Sequence, residues 1–151
     1  MNTPTAIPAE SKVHHYDDFT IGQEFVAEFE LTPERYRDVI RILAYTAPVA
    51  VDSEAARASG HEQAVMPPAY AAAYQFVAAV PGVLLPPGGV YAKQELRMQG
   101  PCYVGDTLTT RTTVHAKYEK RGRLYVVMDS QTTRNVGSPV IWGRRTRIWP
   151  S

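Results

Sequence analysis

A single cysteine, Cys102, excludes an internal disulfide framework and fits a reducing compartment. Charge of one sign is equally scarce. The formal net charge is +1, so no whole-molecule field draws the chain to nucleic acid or to an anionic membrane, and neither is expected as a partner. The most apolar run, residues 65–80, is shorter than a bilayer-spanning helix needs. No segment pairs a basic start with a signal-type apolar stretch, and a cytoplasmic location is expected. Solenoid-period repeats and low-complexity tracts are missing. His14-His15 beside Asp17-Asp18 lacks the three or four convergent ligands of a metal site, so an ordinary surface loop is expected there, with neither metal nor cofactor.

What is present has the make-up of one ordinary domain. With 151 residues, 44% of them hydrophobic, the chain is long enough to bury a real core. Residues 1–15, rich in Pro, Thr, Ala and Ser at their start, read as a flexible N-terminal arm. Residues 16–151 read as a single domain.

The apolar run opens with Val65-Met66-Pro67-Pro68, continues rich in alanine, and stops at Pro81-Gly82. Proline is tolerated in a first helical turn, alanine propagates a helix, and Pro or Gly ends one. A buried core helix is therefore predicted over residues 68–80. Before it, Phe25, Ala27, Phe29 and Leu31 alternate with glutamates as in a half-buried strand. Thr32-Pro33-Glu34 is a helix start; Tyr36, Val39, Ile40 and Leu43 form its core face, and Pro48 places its end near Tyr45. Residues 52–60 form a second short helix, capped by Asp52 or Ser53 and closed by Gly60.

Four strand-like segments follow a Gly- and Pro-rich loop at 81–89. The first puts Val90, Ala92, Leu96 and Met98 on one face and Tyr91, Lys93, Glu95 and Arg97 on the other. Leu108, Val114, Ala116 and Tyr118 mark the second, Gly122 a hairpin turn, and Leu124, Val126, Met128 and Ser130 the third. Residues 140–149 close the chain. Strand, helices, one long helix, then an antiparallel meander is an α+β order.

Three segments in this order resemble the MaoC-like hotdog dehydratases and enoyl hydratases. Leu96-Arg97-Met98-Gln99-Gly100-Pro101-Cys102-Tyr103-Val104-Gly105-Asp106-Thr107-Leu108 is similar to their "F/L-x-x-P-V-x-x-G-D-T-L" segment. Tyr16 to Gln23 is similar to their opening segment, and Val51 to Gly60 to their "H-x-D-x-E-x-A-R-A-x-G" helix. The likeness runs from about Tyr16 to Trp149. It implies a hotdog fold, an antiparallel sheet wrapped around a central helix, and dimeric pairing with sites at the subunit interface.

The departures bear on function. Active members carry "G-D-x-N-P-x-H", whose Asp and His form the general acid/base pair for hydrating a 2-enoyl thioester. Here the stretch is Ala44-Tyr45-Thr46-Ala47-Pro48-Val49-Ala50, with Tyr45 in place of the Asp and Ala50 in place of the His. Active members also begin the central helix with "A-H-G-M", whose Gly amide polarises the thioester carbonyl. Pro68 has no N–H to offer. Met66-Pro67-Pro68-Ala69-Tyr70 instead resembles the "A-P-P-T-F" helix start of non-catalytic subunits of hydroxyacyl-ACP dehydratases, and Arg121 to Val127 resembles those subunits as well.

The leading expectation is an acyl-thioester-binding hotdog protein, its acyl chain carried on CoA or an acyl carrier protein. It would lack the Asp/His dyad and work in a homodimer or in a heterodimer with a catalytic (3R)-hydroxyacyl dehydratase subunit. The alternative is a repurposed enzyme, a dehydratase, cyclase or isomerase on a polyketide-like or acyl substrate. Its candidate catalytic residues are Tyr45, His61 and Tyr70, since Tyr can donate a proton and His titrates near neutrality. Thr46, Ala50, Met66, Pro68 and Tyr74 are the expected substrate-binding residues. A third reading is a structural dimer with no ligand. Tyr70 and Tyr74 also fit plain core packing, Asp52 a helix cap, and Cys102 an inert packed thiol. Arg121, Arg123, Arg144, Arg145 and Arg147 form the densest cationic set, suited to a phosphate or acidic partner or to guarding strand edges.

Overall fold

A computed structural model of the chain describes residues 11–70, 80–135 and 137–150. Strands β1 (Lys12–Val13), β2 (Glu24–Glu30), β3 (Val83–Leu84), β4 (Val90–Met98), β5 (Thr107–Lys120), β6 (Arg123–Arg134) and β7 (Ser138–Trp149) are joined by helices α1 (Pro33–Ile42), α2 (Pro48–Val51) and α3 (Ser53–Ala58). Five strands form one sheet in the order β2-β5-β6-β7-β4, with every neighbouring pair antiparallel. Residues 68–70 are helical, as the proline-led start predicts; residues 71–79 of the expected core helix, Tyr74 among them, lie outside the described residues, and Val80, its expected last residue, is in a bend.

The long hairpin β5–β6 closes on Arg121-Gly122, both at positive φ (53° and 69°), a turn whose twist matches the strands. Tyr118 and Tyr125 stack directly behind it, their ring centroids 4.8 Å apart. One end of the core gathers Leu31, Tyr36, Met66, Cys102, Leu108, Val140 and Ile141, and the other gathers Phe19, Val114, Val126, Met128 and Trp149. Between them the sheet buries hydroxyls. Thr110 pairs with Thr132 at 2.7 Å and Thr112 with Ser130 at 2.8 Å, and Arg145 donates to Ser130 at 2.9 Å. Pairing is what makes these positions tolerable in a core.

Several expectations need correction. The arm expected over residues 1–15 is tied down at its end: β1 pairs in parallel with β3, and His14 is buried against Phe19 and accepts the Trp149 indole N–H on its carbonyl. His14 is therefore a packed residue rather than part of a surface loop. A register shift between Tyr91 and Lys93 breaks the expected two-face alternation of β4. It places Tyr91 opposite Arg147, whose guanidinium sits 5.2 Å from the Tyr91 ring centroid. The cationic set does not form one patch either. Strand alternation sends Arg144 to a bidentate ion pair with Asp129 (2.6 and 2.7 Å) and buries Arg145, while Arg121 and Arg123 stay at the exposed hairpin tip.

Candidate functional site

Two helices end in the same backbone device. In α1, Ala44 takes a left-handed conformation (φ 46°), its N–H bonds Arg41 O, and the Tyr45 N–H bonds Ile40 O. In α3, Gly60 (φ 88°) bonds Arg57 O, and the His61 N–H bonds Ala56 O. Both are Schellman closures, which satisfy orphaned carbonyls at a helix end. The first explains why α1 stops at Ile42, short of the expected Tyr45. Asp52 caps α3 as expected, accepting the Glu54 N–H at 2.8 Å.

Past His61 the chain is zipped onto the loop before β5. Gln63 Nε2 donates to Val104 O at 2.9 Å, Val65 forms a bridge with Tyr103, and the Met66 N–H donates to Cys102 O at 2.9 Å. Asp106 anchors that loop from below: buried, it accepts the Tyr103 N–H at 2.8 Å and Asn135 Nδ2 at 3.1 Å, and Arg134 Nε lies 2.8 Å away. The Arg134 guanidinium in turn covers the Tyr103 ring at 4.6 Å. The Tyr103 hydroxyl meets His61 Nδ1 at 3.3 Å.

This corner opens on a cavity of about 270 Å³ lined by His61, Met66, Pro68, Met98, Cys102 and Val140 among others. Gly100 is needed in its wall because a side chain there would meet the Pro139 carbonyl at 2.6 Å. The other described lining residues are aliphatic, sulfurous or proline. Burial pushes the Cys102 thiol up to about 12, and its Sγ lies 3.5 Å from Met66 Sδ, so it is a neutral packing group. His61 is thus the one described lining residue whose side chain carries a ring nitrogen able to donate or accept a hydrogen bond.

Of the candidate residues, His61, Met66 and Pro68 meet in this cavity. Ala50 is fully buried and borders a second hollow of about 390 Å³ between α1 and α2, with Tyr36, Ile40 and Val51. The Tyr36 hydroxyl stands 2.5 Å from Ala50 O and 3.0 Å from Val65 O, its single proton shared between the two carbonyls. Burial raises the Tyr36 phenol to about 12. Tyr45 is half-buried, Thr46 is exposed, and neither lines either hollow. Tyr70 packs toward Phe29 with ring centroids 6.3 Å apart, and burial raises its pKa. Among the described residues, no group of three His, Cys, Asp or Glu side chains could hold a metal ion. None of the described helices is long and apolar enough to cross a membrane.

A family model described as FAS1-like, dehydratase domain region, matches residues 19–142. The chain belongs to this dehydratase-region family. An UPF0336 protein from Clavibacter michiganensis subsp. michiganensis is 29% identical over 121 residues, 76% of this chain and 81% of that protein. The MaoC-like dehydratase from Rhodospirillum rubrum superposes with a TM-score of 0.74 at 22% identity, over 89% of this chain and 96% of that one. The C-terminally truncated HadBC (3R-hydroxyacyl-ACP dehydratase) complex from Mycobacterium tuberculosis gives 0.64 at 21%, over 85% and 98%. These likenesses show the hotdog fold expected from the motifs, and the family match shows the dehydratase-region relationship. In this member of the family, Tyr36, Tyr103, Asp106 and Arg134 shape the site without having been singled out in the sequence. Asp106 alone carried a signal, the Gly-Asp-Thr-Leu end of the β5 motif.

Proposed function

We propose that the chain binds an acyl chain carried as a thioester on CoA or an acyl carrier protein, and does so as the non-catalytic partner of a (3R)-hydroxyacyl dehydratase. Ala50 carries the reading. At the position the motif likeness gives to the His of the pair there is a buried methyl group, and the residue's carbonyl is already engaged by Tyr36. Tyr45, at the position of the Asp, is half-buried and does not border the His61 cavity. Pro68, at the helix head, has no amide N–H to polarise a carbonyl. A wall of Met66, Pro68, Met98 and Val140 suits an alkyl chain far better than a polar ligand. The HadBC complex, a (3R)-hydroxyacyl-ACP dehydratase similar in fold, supports pairing with a second hotdog chain.

Only one observation favours the repurposed-enzyme reading, the presence of His61 in the cavity. Tyr45 and Tyr70, its other candidates, do not line that space. The deciding experiment measures 2-enoyl-thioester hydration by the purified chain, and by Tyr45→Phe, alone and after mixing with a hotdog subunit that bears the Asp/His motif. The partner reading expects no turnover by the chain alone and thioester binding by native mass spectrometry. Turnover by the chain alone that falls in Tyr45→Phe would overturn it.

A further inference from the structure

Among the described residues that line the cavity, His61 is the one polar side chain that is both supported and unspent, and its support comes from outside the family's dyad loop. His61 Nδ1 is engaged by the Tyr103 hydroxyl at 3.3 Å. Tyr103 is held by its backbone N–H on Asp106, by the bridge to Val65, and by the Arg134 guanidinium over its ring. The His61 backbone is held by the α3 closure at Ala56 O. An imidazole with Nδ1 occupied and its backbone pinned has one nitrogen left, Nε2, and the side chain borders an otherwise apolar wall. A purely apolar cavity would bind alkyl chains without regard to the oxygens at their head.

From this geometry we infer that His61 Nε2 recognises an oxygen at the head of the bound acyl chain, at carbon 1 or carbon 3, with Tyr103 as the positioning residue. The inference rests on the thioester-binding reading above and adds to it a selection rule: a chain with a head oxygen is preferred over the same chain without one. If the Tyr103 hydroxyl donates to Nδ1, Nε2–H donates to a carbonyl or hydroxyl oxygen. If it accepts from Nδ1–H, Nε2 accepts from a hydroxyl only. Carbon 1 and carbon 3 are therefore separable by ligand.

The test measures dissociation constants by calorimetry for three pantetheine probes: the S-hexyl thioether, the hexanoyl thioester and the (3R)-3-hydroxyhexanoyl thioester. One hydrogen bond predicts a preference on the order of five- to tenfold for at least one thioester over the thioether. A gain already present in hexanoyl places the bonded oxygen at carbon 1; a gain confined to the hydroxyacyl probe places it at carbon 3. His61→Phe should erase the preference, bringing the ratio of thioester to thioether affinity to about one. His61→Gln, which keeps a donor, should restore part of it, and Tyr103→Phe should reduce it. A wild-type preference that survives in His61→Phe overturns the assignment and leaves thioester binding standing. Failure of wild type to bind all three probes overturns both.

Discussion

Tyr45 and His61 leave their helices by the same route and arrive at different chemistry. Each immediately follows a left-handed closing residue, and each backbone N–H bonds the carbonyl five residues back. After Tyr45 the chain runs into α2, where the polar groups serve structure: Tyr36 holds the carbonyls of Ala50 and Val65 and leaves a methyl group facing the hollow. After Gly60 the chain runs onto a buried network, Asp106, Arg134 and Tyr103, which delivers His61 to the cavity with one ring nitrogen unused. Identical backbone endings thus do not decide function. What stands opposite the emerging side chain does.

The comparison is broken most forcefully at its anchor. Asp106 is buried and serves three partners, so Asp106→Ala leaves the largely buried Arg134 charge with only the exposed Glu62 carboxylate, 3.4 Å away, and orphans the Tyr103 N–H. Breaking a buried pair on one side typically costs about 3–5 kcal/mol. Urea unfolding should show a loss of this size, and a loss under about 1 kcal/mol would mean that the corner does not depend on Asp106.

Tyr36 breaks the other corner by less. Tyr36→Phe leaves two interior carbonyls without their donor, at a cost of about 1–3 kcal/mol. Its pH dependence has a definite sign. The folded phenol sits at about 12 against an ordinary 10.0 because of burial, so the unfolded chain loses this proton first as pH rises. The contribution is therefore complete below pH 10 and lost as pH climbs through 12, at up to about 1.4 kcal/mol per pH unit. The stability gap between wild type and Tyr36→Phe should narrow across that window. A gap that stays constant would show that the hydroxyl titrates alike in both states.

The frame of the molecule was legible because alternation and capping are local. Glutamates alternating with Phe25 and Phe29 gave β2, and Thr32-Pro33 gave the start of α1, its side chain accepting from the Arg35 N–H. Gly122, between Arg121 and Arg123, marked the turn of the long β5–β6 hairpin. Three features were hidden for a physical reason. Polar core positions such as Thr110 and Ser130 look exposed until their partner strand is known. A one-residue bulge in β4 changes faces without a sequence mark. The His61 site depends on Tyr103 and Arg134, 42 and 73 residues downstream of it, and no spacing rule links them.

The smallest test addresses the shared ending itself. Gly60 and Ala44 both hold positive φ, yet only one is glycine. A left-handed conformation costs an L-residue about 1–2 kcal/mol, and glycine gives back about 0.4–1 of this through the greater freedom of its unfolded chain. Nothing lies within 4 Å of a Cβ built on Gly60, so Gly60→Ala meets backbone strain and no clash. The exchange should therefore be antisymmetric: Gly60→Ala destabilises by roughly 0.5–1 kcal/mol and Ala44→Gly stabilises by a similar amount. Function should not follow that symmetry. Strain at Gly60 is adjacent to His61 and should blunt the preference for head oxygens, whereas relief at Ala44 acts beside Tyr45, outside the cavity, and should leave ligand affinity unchanged. Equal effects of both variants on binding would mean that the two corners are one site, and the contrast between them would fall.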